Sequence, residues 1–122
     1  RVFGALFEAT FYFDQQRFPE LFCGFGRRHG RGPTLYPVAC APQAWASGAP
    51  MYMIQAALGL NVCAPDAVRF DKPSLPAFLS NLSLDGLDCG EASVDLDVQQ
   101  IGPATSVFVR RAGKNVQVAI GI

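Results

Sequence analysis

The apolar residues of this chain repeat about every 3.6 positions up to Pro65 and about every two positions after it, and this change of period constrains the fold more than any other feature. Phe3, Leu6, Phe7, Thr10, Phe11 and Phe13 share one helical face, with Glu8 and Asp14 off it, which predicts an amphipathic helix ending near Gln16. Pro42-Gln43 opens a second helix whose stripe runs through Trp45, Ala49, Tyr52, Met53, Ala56, Ala57 and Leu60. Pro50 lies in the middle of that stripe and predicts a kink, and Gly59 stands at or just past the helix end. Beyond Pro65, Ala67–Phe70, Leu79–Leu84, Ala92–Val98, Ser106–Arg110 and Val116–Ile120 alternate or are β-branched, giving five strand candidates. Asp85-Gly86, Cys89-Gly90 and Ala112-Gly113-Lys114-Asn115 carry hairpin chemistry and favour antiparallel pairing. The expected fold is therefore α+β: two helices joined by a long loop over 1–64, then an antiparallel β-sheet tail of about five strands over 65–122.

Between the helices, Pro19 biases its predecessor out of the helical region, so Glu20 falls beyond the first helix. Gly24, Gly26, Gly30 and Gly32, followed by Pro33, Pro37 and Pro42, exclude regular structure for most of this stretch. A loop of such length inside a compact protein is either functional or disordered. Phe22, Phe25, Leu35 and Tyr36 supply enough apolar anchors to expect an ordered one.

The chain has 122 residues, of which 50% are hydrophobic and 16% charged, so either its core is large for its size or part of its apolar surface is meant for a partner. Lys plus Arg equals Asp plus Glu, which gives no global field for nucleic acid or an anionic membrane. Gly, Pro and charges break the apolar runs well short of the roughly 18–20 residues that span a bilayer. We expect a soluble protein without nucleic-acid or membrane partners. Cys23, Cys40, Cys63 and Cys89 stand far apart with no C-x-x-C pair, which suits reduced, mostly buried thiols in the cytoplasm. A Cys23–Cys40 disulfide is the alternative, and a Cys23, His29, Cys40 metal site has spacings that match no structural zinc pattern. Neither metal nor cofactor is expected.

Two stretches carry the chemistry: Arg17-Phe18-Pro19-Glu20-Leu21-Phe22-Cys23-Gly24-Phe25 and Tyr36-Pro37-Val38-Ala39-Cys40-Ala41-Pro42-Gln43-Ala44-Trp45-Ala46. Together they resemble the end of the (α/α)6 catalytic barrel of bacterial amylo-α-1,6-glucosidases, the glycogen-debranching type of glycoside hydrolase. The resemblance runs on to Leu60 and more loosely into the β tail. It implies that Glu20 matches the general base of an inverting hydrolysis, that Gln43 belongs to the wall of the sugar site, and that an α-glucan oligosaccharide is the substrate. Such hydrolysis needs a second carboxyl group as acid. In the family that acid lies in an earlier barrel loop, outside this chain. A barrel of twelve helices also needs more residues than this chain has, and Arg1-Val2-Phe3 opens inside an apolar pattern without an initiator Met, so a C-terminal fragment, inactive alone, is expected.

Read without the family, Glu20 would be a solvated carboxylate at a helix-to-loop junction, and Gln43 a loop-tying amide. Arg17, Arg27 or Arg28 near Glu20 would favour the ionised form that a base requires. Tyr36 and Trp45 are candidates for stacking on a sugar face, although a lone Trp at a helix start equally suits core packing. Arg27-Arg28-His29-Gly30-Arg31-Gly32 follows no strand and fits no phosphate-loop fingerprint, so it reads as a positively charged loop lip. The two helical stripes, lacking their barrel neighbours, lead us to expect a homodimer. The rival reading is a non-catalytic carbohydrate-binding or interaction module whose functional part is the β tail.

Overall fold

A computed structural model describes residues 1–64 and 66–121. Among the described residues the chain is an α+β mix of two α-helices and six strands. It divides into two compact units, Arg1–Met53 and Ile54–Ile122. The sequence-based division at 64/65 adjoins Pro65, which lies outside the described residues.

The first unit opens with α1, Val2–Thr10, shorter than the expected helix to Gln16. Thr10 Oγ1 donates to the Phe7 carbonyl at 2.6 Å, and the Tyr12 and Phe13 amides close tighter turns on Ala9 and Thr10. Aromatic and β-branched residues at 10–13 hold a helix poorly, and Phe11 and Tyr12 bury no face that would compensate. Gln15 and Gln16 then adopt left-handed backbone angles, φ 56° and 55°, and turn the chain into the extended Arg17.

The segment expected to be an irregular loop is built as two arms. Residues 18–23 lie along 34–43: the Glu20 amide donates to the Cys40 carbonyl at 2.8 Å, the Gln43 amide to Phe18 at 3.0 Å, and the Cys23 amide to Thr34 at 3.3 Å. An antiparallel bridge joins Phe22 to Leu35. Phe22 also meets the edges of Phe13 and Phe18, with centroids 5.5 and 6.2 Å apart. The Phe18 side chain is buried and anchors the first arm.

The second helix starts later than Pro42-Gln43. A 3-10 turn, Trp45–Gly48, leads into α2, Ala49–Leu58. Pro50 is thus the second residue of the α-helix, in the first turn, where a backbone N–H has no intrahelical acceptor to lose. The expected mid-helix kink becomes a helix start.

The second unit takes the end of α2 and all six strands. Strand β1, Leu60–Ala64, continues directly from the helix, was not foreseen, and pairs antiparallel with β2, Ala67–Asp71. Strands β3, Asn81–Asp88, β4, Ser93–Ile101, and β5, Ala104–Ala112, form an antiparallel meander. The last strand, β6, Gln117–Gly121, lies parallel to β2, with Val68 opposite Val118 and Phe70 opposite Ile120. Two three-stranded sheets therefore replace the single antiparallel tail, and the 112–115 turn carries the chain between sheets instead of closing a hairpin. Asp85-Gly86 sits within β3 as a bulge between Leu84 and Leu87. Cys89-Gly90 does connect β3 to β4, and Gly102-Pro103 turns β4 into β5.

Alternation on β2 and β4 decides where the core lies. Val68, Phe70, Val94, Leu96 and Val98 are fully buried and pack with Leu58, Leu60, Leu75 and Cys89 in one cluster. Each such side chain contributes about 1.5–3 kcal/mol on burial. The intervening Asp95 and Asp97 point the other way, where Arg111 and Arg110 meet them at 2.7 and 2.9 Å.

Candidate functional site

Glu20 follows the buried Phe18-Pro19 pair, whose fixed extended geometry ends the preceding turn and delivers the carboxylate to the seam between the two arms. It is half-buried. Its backbone amide donates to the Cys40 carbonyl, and one carboxylate oxygen, Oε2, accepts the Cys40 amide at 3.3 Å. Both hydrogen-bonding groups of one Cys40 peptide neighbourhood are therefore satisfied by Glu20. A carboxylate offers about four lone-pair directions, so this anchor orients the group and leaves acceptor capacity for a water or hydroxyl.

Gln43 lies three residues along the same arm and is tied to the other by its amide on Phe18. Its side-chain Oε1 accepts the Ala44 amide at 3.2 Å, a local bond that fixes the entry to the 3-10 turn. The Ala41–Pro42 peptide between Cys40 and Gln43 is cis. The ribbon thus brings Glu20 and Gln43 onto one short ladder.

Tyr36 stands on the same arm as Cys40, at the start of a turn in which the Ala39 amide donates to the Tyr36 carbonyl at 3.0 Å. Trp45 begins the 3-10 turn and is 66% exposed, so its ring is not core packing. Tyr36 is exposed as well. Among the described residues no hydrogen bond joins either side chain to Glu20.

Two of the three expected arginine neighbours of Glu20, Arg27 and Arg28, are engaged elsewhere. Arg27 forms an ion pair with Glu8 of α1, and that hydrogen bond, with its charge, raises the Arg27 pKa further above the ordinary guanidinium value. Arg28 donates to Thr34 Oγ1 at 3.0 Å. Their placement follows from the turn at 28–31, where the Arg31 amide donates to the Arg28 carbonyl and Gly30 takes φ +66°.

These arginines line a cleft of about 190 Å³ between α1 and the loop, together with Glu8, Tyr12 and Phe25. None of Glu20, Tyr36, Gln43 and Trp45 lines it. The sequence marks the basic lip, but not its pairing with α1. Its one visible signal is Gly32, where a Cβ would come within 2.6 Å of the Tyr12 ring.

All four thiols are free, and only Cys89 is buried, contrary to the expectation of mostly buried cysteines. Burial, followed by the charges of Asp88 and Asp66, pushes the Cys89 thiol up. Cys40 and Cys63 are exposed and Cys23 half-buried. Among the described residues no three His, Cys, Asp or Glu side chains gather into a metal site. No described helix is long and apolar enough to cross a membrane. Compared with protein-family models, curated proteins and solved structures, the chain matches none of them.

Proposed function

We propose that this chain supplies the general base of an inverting α-glucan glycoside hydrolase of the amylo-α-1,6-glucosidase type. The observation that carries the reading is the Glu20–Cys40 anchor, which holds a half-buried carboxylate on the same ladder as Gln43. The ladder is formed by the two stretches on which the family resemblance rests. In this reading the rest of an (α/α)6 barrel and its acid belong to a longer protein. Two free, exposed thiols suit a reducing compartment such as the cytoplasm.

In the reaction, the acid protonates the glycosidic oxygen as the C–O bond breaks. Glu20 takes a proton from water on the opposite face as that water's oxygen bonds to the anomeric carbon. The two carboxyl groups of an inverting enzyme stand about 6.5–9.5 Å apart to admit that water. Gln43 would hold a sugar hydroxyl or the water, and the exposed rings of Tyr36 and Trp45 would stack on pyranose faces. With one of the two carboxyls outside it, the chain alone cleaves neither maltooligosaccharides nor limit dextrin.

The decisive variant is Glu20→Gln in the parent enzyme. It keeps the side-chain shape and the acceptor for Cys40 but removes the proton acceptor. We expect kcat to fall by about 10²–10⁴-fold with little change in substrate binding. An unchanged kcat removes Glu20 from the active site.

A second reading rests on the complete core of the second unit. If Ile54–Ile122 is a carbohydrate-binding module, that unit alone binds glycan. Equilibrium titration with maltooligosaccharides separates the two readings, because the hydrolase reading expects no affinity there.

A further inference from the structure

The cleft between α1 and the arginine loop adjoins the Cys23–Thr34 end of the ladder, does not include Glu20, and has a lining of definite chemistry. Arg27, Arg28 and Arg31 face one carboxylate, Glu8, which leaves a net of two positive charges. Glu8 is committed to Arg27, so the uncompensated charge resides on Arg28 and Arg31. Thr34 steadies the Arg28 guanidinium through Nη2, and the 28–31 turn, closed by the Arg31 amide on the Arg28 carbonyl, keeps both residues in the cleft lining. The lining is also aromatic. Tyr12 packs so closely against Gly32 that any side chain there would collide with its ring, and Phe25, 74% exposed, offers a second ring.

Two planar guanidinium groups bind an oxyanion through parallel N–H donors, a geometry that matches phosphate. A phosphate monoester carries about −1.5 to −2 charge near neutral pH, close to the excess the cleft presents. At about 190 Å³ the cleft far exceeds the roughly 10–15 Å³ that one water requires and falls below the roughly 300–1,000 Å³ of pockets for drug-sized ligands, which suits one ring.

We propose that this cleft binds a phosphate monoester carried on a single ring, with the phosphate on Arg28 and Arg31 and the ring against Tyr12. A sugar phosphate and an aryl phosphate share that chemistry. The site goes beyond the glycosidase reading and does not depend on it, because its readout is binding and not hydrolysis.

The test is titration of the full chain with glucose 6-phosphate, phenyl phosphate, inorganic phosphate, glucose and phenol at one ionic strength, followed by amide NMR shifts and calorimetry. We expect at least one ester to bind about ten-fold or more tightly than inorganic phosphate and than its own uncharged ring. The tighter ester identifies the ring. Shifts should concentrate at Ala5, Tyr12 and Gly32, which line the cleft, and Arg31→Ala or Arg28→Ala should each weaken binding about ten-fold while the far-ultraviolet spectrum stays unchanged. Equal affinity for inorganic phosphate and both esters, unaffected binding in both variants, or no binding at millimolar concentration overturns the proposal. Should a variant lose its fold, the shift map of the unaltered chain still decides, since shifts located away from the cleft reject the site.

Discussion

Gly59 holds φ at +55° where α2 gives way to β1, and a Cβ there would lie 2.0 Å from the Asp71 carbonyl oxygen. That carbonyl is backbone, and Asp71 is itself fixed by the hydrogen bond its amide donates to the Gly59 carbonyl at 3.0 Å, so neither side can yield cheaply. A non-glycine residue at such a backbone angle costs about 1–3 kcal/mol before any clash. Gly59→Ala should therefore lower the unfolding free energy by about 3 kcal/mol or more, seen as a shift of the urea midpoint at unchanged slope. A midpoint within experimental scatter of the parent would mean the helix-to-strand junction relaxes. At this scale the candidate site was half legible. Glu20 stood out by its motif, but its partner, the Cys40 peptide, depends on two arms meeting across twenty residues of sequence, which no local pattern encodes.

At the scale of elements, β3 and β4 are held in register by a bulge that looks like a hairpin in sequence. Asp-Gly satisfies the positive φ of a two-residue turn, and Gly86 uses the same freedom, φ +63°, inside a strand. The Gly86 amide donates to Asp95 Oδ1 at 2.7 Å, and Arg111 clamps the same carboxylate through Nε and Nη2. The Arg111 hydrogen bond first, then the Gly86 amide, hold the Asp95 carboxyl below the usual aspartate range. A depressed folded pKa contributes stability that is fully present above the unfolded value of about 3.9 and is lost as pH falls through the lower folded value. Asp95→Asn should thus be less stable than the parent at neutral pH, with the gap closing on acidification below about pH 4. Parallel urea-midpoint curves for the two proteins would show that Asp95 adds no pH dependence. Among the described strands, β2, β3 and β4 were readable because half-burial imposes a period of two on them, and β5 and β6 by their β-branched residues Val107, Val109, Val118 and Ile120. Strand β1 was not, since Leu60-Asn61-Val62-Cys63 extends the apolar run of α2 without a break in period. The parallel pairing of β2 with β6 was equally hidden, because partner choice between distant strands is set by the shared core and not by either strand's own residues.

For the whole molecule, burial is distributed unevenly between the two units. The second encloses Leu58, Leu60, Val68, Phe70, Leu75, Cys89, Val94, Leu96 and Val98, whereas the buried hydrophobic residues of the first are Ala9, Phe18 and Ala46. The amides of β2 and β4 should accordingly exchange most slowly, and those of α1 and the two arms fastest. Phe11, Trp45, Met51 and Tyr52 of the first unit all remain exposed, Tyr52 at 77%. In the barrel reading Phe11, Met51 and Tyr52 belong to faces that neighbouring helices would cover, while Trp45 stays open to the sugar. Each large side chain left in water forgoes about 1.5–3 kcal/mol, so several of them paired across a two-fold axis can outweigh an association cost of about 4–15 kcal/mol. We therefore expect the chain to form a homodimer through its first unit, with sedimentation at micromolar concentration giving twice the chain mass. Phe11→Asp and Met51→Asp, each placing a charge on an exposed apolar face, should shift that equilibrium to monomer without altering the exchange pattern of β4. A monomer at micromolar concentration that binds no apolar dye would show that these side chains need no partner, and the dimer would be excluded.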